Sequence, residues 1–198
     1  MAGKTDFIVN GSFEQLAGGD AAAWIALNFQ LEPAANGGSY RFRPGAPDGW
    51  QVTRGFFALE TQAPPKTPSS WDGKVWGFTH DGSIAQDVTG LSRGASYDLA
   101  FIAYDSADEP GPSGLEVWWN GQKVAGYGEL DGDAGAMSHL TVTAGDGANR
   151  LEFRTTGVVV LDDIRLFATG PGPRLDFSLT SQPLGVNLGD TVFHGGEF

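Results

Sequence analysis

The stretch Val159–Phe167 restricts the possible folds of this chain most strongly, because it combines apolar β-forming residues with two adjacent carboxylates. A short, largely apolar run of β-branched residues predicts a buried strand. A buried strand does not tolerate a free charge, since an unpaired carboxylate in the interior costs several kcal/mol. At least one of Asp162 and Asp163 is therefore expected to be paired with a metal ion, a cation or backbone N–H groups.

Side chains on a strand alternate between its two faces. Strict alternation puts Asp162 on one face with Val160 and Ile164, and puts Asp163 on the other face with Leu161. We therefore expect Asp162 to lie in line with core residues and to need a partner, and we expect Asp163 to reach solvent.

Glycine and proline punctuate the chain, with 30 Gly and 11 Pro among 198 residues. These residues disfavour long helices and separate short β-runs. The length suits one β-rich domain with an appendage, and it is sufficient to bury a full core. The absence of Cys excludes disulfides and thiolate metal sites.

The net charge of −12 argues against nucleic-acid binding, because an acidic surface repels phosphate backbones. It is compatible with divalent cations and neutral glycans. No segment approaches the roughly 18 apolar residues of a membrane span, so membrane insertion is not expected. Residues 1–6 lack the apolar region of a signal peptide. We expect either that a signal is missing from this chain or that the protein leaves the cell by a route that needs none.

Short β-runs with intervening turns fill the chain from residue 50 to residue 167. Asn120-Gly121 is the strongest hairpin signal, and alternation in Leu115–Trp119 puts Glu116 and Trp118 on the same face. His80-Asp81-Gly82 predicts a turn between two strands. Residues 17–49 are interpreted as a long loop with an inserted hairpin. This pattern predicts an all-β fold, an antiparallel jelly-roll β-sandwich.

A Gly/Pro segment, residues 169–173, predicts a domain boundary. We therefore divide the chain into a jelly-roll domain, residues 1–168, and a linker with an extended C-terminal arm, residues 169–198. The arm is too short to fold alone. It is expected to lie on the sandwich, to pair with another chain, or to stay mobile.

Several short motifs occur in a characteristic order between Asp6 and Phe167. They are Asn10–Glu14, Gly49-Trp50, Gly82–Val88 followed by Gly94–Phe101, Val117–Gly121 and Leu161–Ile164. Together they resemble the galactose-binding-like jelly rolls of carbohydrate-binding modules, families 4/9 and 22. The related plant cell-wall and bacterial choice-of-anchor domains are similar as well.

The resemblance implies a structural calcium ion held between the N-terminal motif and the last strand. Carried over to this sequence, Glu14 and Asp162 are the proposed ligands, and Asn10 or backbone carbonyls add further oxygens. The chemistry agrees, because calcium takes six to eight oxygen ligands and compensates a buried carboxylate. The alternative is that backbone N–H groups or Arg165 satisfy Asp162.

Glycan binding requires exposed aromatic side chains with polar groups beside them. Trp118 is the best candidate among the 6 Trp residues, and Tyr104 and Arg154 are candidates for the same face of the sheet. Trp71 is a candidate for a second site at the loop ends. The alternative use of tryptophan is core packing, which we expect for Trp50, Trp76 and Trp119.

Catalysis has little support in the sequence. Motifs typical of serine hydrolases and zinc proteases are absent, and the histidines are dispersed at His80, His139 and His194. Asp162 and Asp163 point to opposite faces of one strand, so they cannot flank one glycosidic bond. We therefore expect that the protein is not an enzyme.

Two functional hypotheses follow. The first is a non-catalytic, calcium-stabilised domain that binds an extracellular polysaccharide or cell-surface glycan. The second is a structural or adhesion subunit of a phage-like particle, such as a head spike, fibre or decoration protein on a virion-like surface. There the same fold would bind host polysaccharide, or neighbouring subunits through the C-terminal arm.

Overall fold

The computed structural model describes residues 5–16, 19–20, 30–33, 39–60, 75–105, 112–130 and 137–169. All regular elements in these ranges are β-strands. The described residues contain no helix that is long and apolar enough to cross a membrane. The predicted C-terminal arm beyond residue 169 lies outside the described residues, as does Trp71.

The strands of the described ranges are β1 (Gln15–Leu16), β2 (Gly19–Asp20), β3 (Gln30–Pro33), β4 (Ser39–Pro44), β5 (Gln51–Glu60), β6 (Trp76–Val88), β7 (Ser96–Asp105), β8 (Gly114–Trp119), β9 (Gln122–Tyr127), β10 (Ser138–Thr143), β11 (Asn149–Thr156) and β12 (Val158–Ala168). The inserted hairpin predicted within residues 17–49 corresponds to β3 and β4, which pair antiparallel.

The large sheet is antiparallel and folds over on itself. Its strand order is β10-β7-β12-β6-β11-β8-β9, and β5 also pairs with β6 and leads to β4 and β3. Strand β6 pairs with β12 through its first half and with β11 through its second half, so it belongs to both layers. The predicted jelly-roll β-sandwich is therefore confirmed.

The turn predicted at His80-Asp81-Gly82 is wrong, because β6 runs through these residues without interruption. Asp81 has a φ of 45°, and the facing strand β5 has register shifts around Gly55, whose φ is 63°. A Cβ on Gly82 would come within 2.6 Å of the Phe56 carbonyl oxygen. The register shifts are β-bulges, and they let the paired strands bend from one layer into the other. The Asp-Gly pair at this bend resembles the sequence of a turn.

The main core lies between the two layers. Alternate residues of β7 and β8 face it, and the largest fully buried side chains include Phe13, Phe57, Phe101 and Phe153. The core positions predicted for three tryptophans are also confirmed, since Trp50, Trp76 and Trp119 are 3–5% exposed. Trp76 lies in a second apolar cluster rather than in the main core.

The predicted hairpin at Asn120-Gly121 is confirmed. Both residues have positive φ, 52° and 77°, as a type I′ turn requires. The Asn120 side chain also fastens the hairpin to the neighbouring strand. Its Oδ1 accepts the Arg150 N–H at 2.9 Å, and its Nδ2 donates to Asn149 Oδ1 at 2.8 Å.

Strand β12 contains a bulge at the two adjacent carboxylates, so the strict alternation predicted for it is wrong. Residues Val159 and Leu161 face the main core before the bulge, and Ile164 and Leu166 face it afterwards. The register against β7 shifts between Asp162 and Arg165. An extra residue inserted in one strand exchanges the faces of all later residues.

The same bulge overturns the expectation that Asp163 reaches solvent. Asp163 has a φ of 51° and is only 8% exposed, while Asp162 is 2% exposed. Both carboxylates are therefore buried. Asp163 Oδ1 accepts hydrogen bonds from the Arg165 guanidinium, and Asp162 Oδ1 accepts the Asp163 N–H at 2.7 Å.

The N-terminal segment is seated against this part of β12. The Ile164 N–H donates to the Gly11 carbonyl at 3.0 Å, and Asp6 Oδ1 accepts the Leu166 N–H at 2.9 Å. From the other side, the buried Gln86 amide bonds both the N–H and the C=O of Val9, each at 2.8 Å. The first and last described segments of the chain are thus held together by backbone and amide hydrogen bonds.

Gly11→Ala is expected to destabilise the fold, because a Cβ at this position would lie 1.8 Å from the Ile164 carbonyl oxygen. The backbone must move to make room, and we expect a loss of about 1–3 kcal/mol in the free energy of unfolding. Urea denaturation measures this loss. Gly128→Ala is the matched control, since its Cβ meets nothing within 4 Å. Equal stability of the two variants would contradict the proposed close packing.

Candidate functional site

The outer face of β8, β9 and β11 carries a compact group of polar residues around one indole. We call it the Trp118 face and define it by Glu116, Trp118, Lys123, Glu152 and Arg154. The register places Arg154 opposite Glu116, Glu152 opposite Trp118, and Trp118 opposite Lys123. The alternate residues of β8 and β11 fill the main core, which is why the four side chains on these strands point outwards. Lys123 on β9 lies beside them because it pairs with Trp118.

Trp118 lies against the Arg154 guanidinium. The Arg154 Cζ atom is 3.8 Å from the centroid of the indole ring, a cation–π contact. The indole Nε1 donates to Glu116 Oε2 at 3.0 Å. The structure therefore brings the predicted residues Trp118 and Arg154 together. It also covers one side of the ring that was expected to be an open platform.

Glu116 links the indole to the edge strand. Its Oε1 accepts a hydrogen bond from Lys123 Nζ at 2.7 Å. The hydrogen bond from Lys123, followed by the one from the Trp118 indole, lowers the pKa of Glu116 below its usual value of 4.5. This carboxylate is therefore charged at neutral pH, and it is available as a hydrogen-bond acceptor.

Glu152 and Arg154 form the second ion pair of the Trp118 face. An Arg154 guanidinium nitrogen donates to Glu152 Oε2 at 2.8 Å, and Thr53 Oγ1 donates to Oε1 at 3.1 Å. The hydrogen bond from Arg154 lowers the pKa of Glu152, although burial opposes this shift. The hydrogen bond to Glu152 correspondingly raises the pKa of Arg154. The face thus carries two carboxylates and two cations, and its local charge is balanced.

A groove of about 380 Å³ continues the Trp118 face towards the start of β8. Glu116 and Lys123 line it together with Gly114, Gly126, Gly128 and Thr156. Sequence reasoning missed this feature because glycines in and beside strands were interpreted as turn signals. Two of them, Gly114 and Gly126, lie within strands β8 and β9 at positions that face outwards. The neighbouring outward positions carry large polar side chains.

Tyr104 does not lie on the Trp118 face, so the expectation that it shares a face with Arg154 is wrong. Its side chain is 3% exposed and packs in the second apolar cluster with Trp76, Ile102 and Val160. Strand β7, which carries Tyr104, pairs with β10 and β12 and not with β11. Alternation along single strands could not reveal which layer each strand joins.

Glu14, one of the predicted calcium ligands, lies next to the start of β6 and lines a cleft of about 300 Å³ together with Asp6 and Asp163. Glu14 Oε1 accepts the N–H of Val75 at 2.9 Å. The β12–β6 pairing ends with Leu161 opposite Gly77, so Asp162 is the first residue of β12 beyond this pairing. The carboxylates of Glu14 and Asp162 fit a calcium ion in charge and in ligand type.

Asn10, the third predicted ligand, makes hydrogen bonds within the N-terminal loop. Its Oδ1 accepts the Gln15 N–H at 3.0 Å, and its Nδ2 donates to the carbonyls of Gln15 at 2.8 Å and Asp48 at 3.1 Å. The side chain therefore fastens the N-terminal loop, in keeping with its positive φ of 52°. Among the described residues, no three acidic or histidine side chains are grouped to hold a metal.

Comparisons with known proteins give partial sequence relatives and similar folds. No protein-family model matches the chain. It is 32% identical to the multifunctional-autoprocessing repeats-in-toxin of Vibrio vulnificus over 128 aligned residues, which cover 55% of this chain. The chain spans 2% of the length of that relative.

Solved carbohydrate-binding modules resemble this fold, as the sequence predicted. The xylan-binding CBM22-1 domain of Paenibacillus barcinonensis Xyn10C has 14% identity and a TM-score of 0.47, and the similarity covers 63% of this chain and 88% of that domain. TmCBM61, solved with β-1,4-galactotriose, has 12% identity and a TM-score of 0.45, with 83% and 99% covered. At these values the similarity concerns the fold and not the ligand.

Glu152→Gln is expected to lower stability at pH 7 by at most about 1 kcal/mol, because it weakens a partly exposed ion pair. The folded-state pKa of Glu152 lies below 4.5, so its contribution is present above pH 4.5 and is lost as the pH falls through the lowered pKa. The difference between wild type and variant should therefore shrink at acidic pH. Urea denaturation at several pH values measures it, with the exposed Glu129→Gln as control. A pH-independent difference would contradict the ion-pair explanation.

Proposed function

We propose that this chain is a non-catalytic carbohydrate-binding domain whose ligand is an extracellular polysaccharide or a cell-surface glycan. The observation that carries the proposal is the Trp118 face. It combines an indole with carboxylate acceptors and cationic donors on a rigid antiparallel sheet. A sugar ring offers C–H groups to an aromatic side chain and hydroxyl groups to charged hydrogen-bonding partners.

The rigidity of the Trp118 face supports a binding role. Glu116 is held by the Trp118 indole and by Lys123, and Glu152 is held by Arg154 and Thr53. Side chains already fixed in one geometry lose less conformational entropy when a ligand binds. The same hydrogen bonds leave carboxylate lone pairs and further N–H groups for ligand hydroxyls.

The charge states of the two glutamates support a non-catalytic role. Glycoside hydrolysis requires one carboxyl group that is protonated at working pH, which means a raised pKa. Glu116 and Glu152 both have lowered pKa values, because each is hydrogen-bonded to a cation. Neither carboxyl group of this face is suited to protonate a leaving group.

Trp118→Ala is expected to weaken glycan binding at least tenfold, about 1.4 kcal/mol, while the main core remains intact because Trp118 faces away from it. A glycan-array screen of the wild type identifies the ligand, and titration calorimetry then compares the variants. Thr141→Ala, an exposed position on β10, is the matched control. Unchanged affinity in Trp118→Ala would show that the glycan binds elsewhere.

We further propose that a structural calcium ion is held by Glu14 and Asp162. Two observations support this proposal: the Asp162 carboxylate is buried, and Glu14 Oε1 is held at the Val75 N–H beside the start of β6. The ion would supply positive charge between two acidic residues and would tie the N-terminal motif to β12. It would act on stability and not on the chemistry of the Trp118 face.

Chelation is expected to lower the melting temperature of the wild type by several degrees, because a ligand that binds only the folded state stabilises it. Asp162→Asn should remove most of this response. Differential scanning calorimetry with EDTA, and with EDTA saturated by calcium as control, measures the effect. Identical melting temperatures in both solutions would disprove the calcium proposal.

The alternative function, a structural or adhesion subunit of a phage-like particle, stays a proposal. One argument for it is the C-terminal arm, which lies outside the described residues apart from Thr169. The partial identity to a much longer toxin favours instead a module within a larger protein. Glycan binding by the isolated chain favours the first function, whereas concentration-dependent self-association without glycan binding favours the particle subunit.

A further inference from the structure

The groove beside the Trp118 face belongs to the same surface as that face. Gly114, Glu116 and Trp118 are alternate residues of β8, and Gly126 lies directly opposite Glu116. Thr156 lies opposite Gly114, two residues beyond Arg154 on β11. Since alternate residues are about 6.6 Å apart along a strand, the surface extends about 13 Å from Trp118 to Gly114.

Glycines allow neighbouring groups to pack closely along the groove. Gly114 and Gly126 have no side chains where their outward-facing neighbours have large polar ones. The stem of Lys123 lies over Gly126, because a Cβ there would come 2.7 Å from Lys123 Cε. This position directs the ammonium group towards Glu116. The volume of about 380 Å³ is within the usual range for small-ligand sites, about 300–1,000 Å³.

We propose that this groove is a second glycan subsite, which takes neutral sugar units of a chain whose neighbouring units lie over the Trp118 face. The inference rests on the proposed function and adds the location and the class of the ligand. The Glu116 carboxylate and the Lys123 ammonium stand at the junction of the two subsites. The Thr156 hydroxyl and the glycine backbone offer further hydrogen-bonding groups.

Charge selects a neutral glycan over an anionic one. Both cations of the Trp118 face are already paired, Lys123 with Glu116 and Arg154 with Glu152. Neither is left to neutralise a uronate or a sulfate. The net charge of −12 adds a repulsion for any polyanion.

The test fills the groove from two sides. Gly128→Leu adds a side chain where a Cβ meets nothing within 4 Å. Thr156→Leu places a larger side chain at an exposed position on the opposite wall of the groove. Calorimetry measures binding of neutral β-1,4-linked xylo-, cello- and galacto-oligosaccharides of two to six units, and of oligogalacturonides of the same lengths. Thr141→Leu on β10 is the control for an added exposed leucine.

For the wild type we expect affinity for neutral oligosaccharides to rise with chain length. Both groove variants should retain the affinity for disaccharides and lose about tenfold for the longest chains, the contribution of one subsite. Trp118→Ala should lose affinity at every length. If Gly128→Leu melts at a lower temperature than the wild type, the test rests on Thr156→Leu alone. The expected result is the same tenfold loss of affinity for the longest oligosaccharides.

Three results would overturn the inference, and they are distinguishable. If folded groove variants bind all lengths as the wild type does, the groove is not a subsite and the proposed function stands. Binding of oligogalacturonides alone would overturn the neutral class. Absence of wild-type binding to any of these oligosaccharides, neutral or acidic, would overturn both the subsite and the proposed function.

Discussion

The bulge at Asp162-Asp163 is the constraint on which the rest of this structure depends. One extra residue in β12 turns Ile164 and Leu166 into the core and lets the Ile164 N–H reach the Gly11 carbonyl. The N-terminal segment is thereby seated, and Phe13 enters the core against Phe57 and Trp50. Without the bulge, the later residues of β12 would exchange faces and the sandwich would lose this closure.

The Trp118 face depends on the pairing of β11 with β8, which fixes the face of each side chain. Once Phe153 and Val117 fill the core, their neighbours Arg154, Glu116 and Trp118 must point outwards. The guanidinium then lies on the indole, and each cation meets a carboxylate. The side chains of the Trp118 face are linked by hydrogen bonds and ion pairs. Trp118 therefore provides an aromatic surface for a ligand and also positions the Glu116 carboxylate. A change at Trp118 therefore measures contact and positioning together.

Much of the fold could be predicted from sequence, since alternation in β7 and β8 and the Asn120-Gly121 turn are local signals. The bulge could not be placed, because it breaks the period from which faces are inferred. The two adjacent carboxylates in an apolar strand indicated only that a buried charge needs a partner. The turn predicted at Asp81-Gly82 failed for a related reason: a bend within β6 uses the same residues as a turn. Tyr104 was misplaced because the layer that a strand joins depends on long-range pairing. Of the candidate site, the contact of Trp118 with Arg154 could be anticipated, but the glycine-lined groove could not.

The proposed calcium site and the Trp118 face lie on different layers of the sandwich, so their roles are separate. Asp162 lies opposite Ile102, whose side chain belongs to the second apolar cluster on the outer side of one layer. The Trp118 face lies on the outer side of the other layer, with the main core between them. A cation bound by Glu14 and Asp162 cannot contact a glycan on the Trp118 face across that core. Its influence on binding would pass through the stability of the sandwich, so a chelator that weakens glycan binding below the melting transition would point to a second cation site.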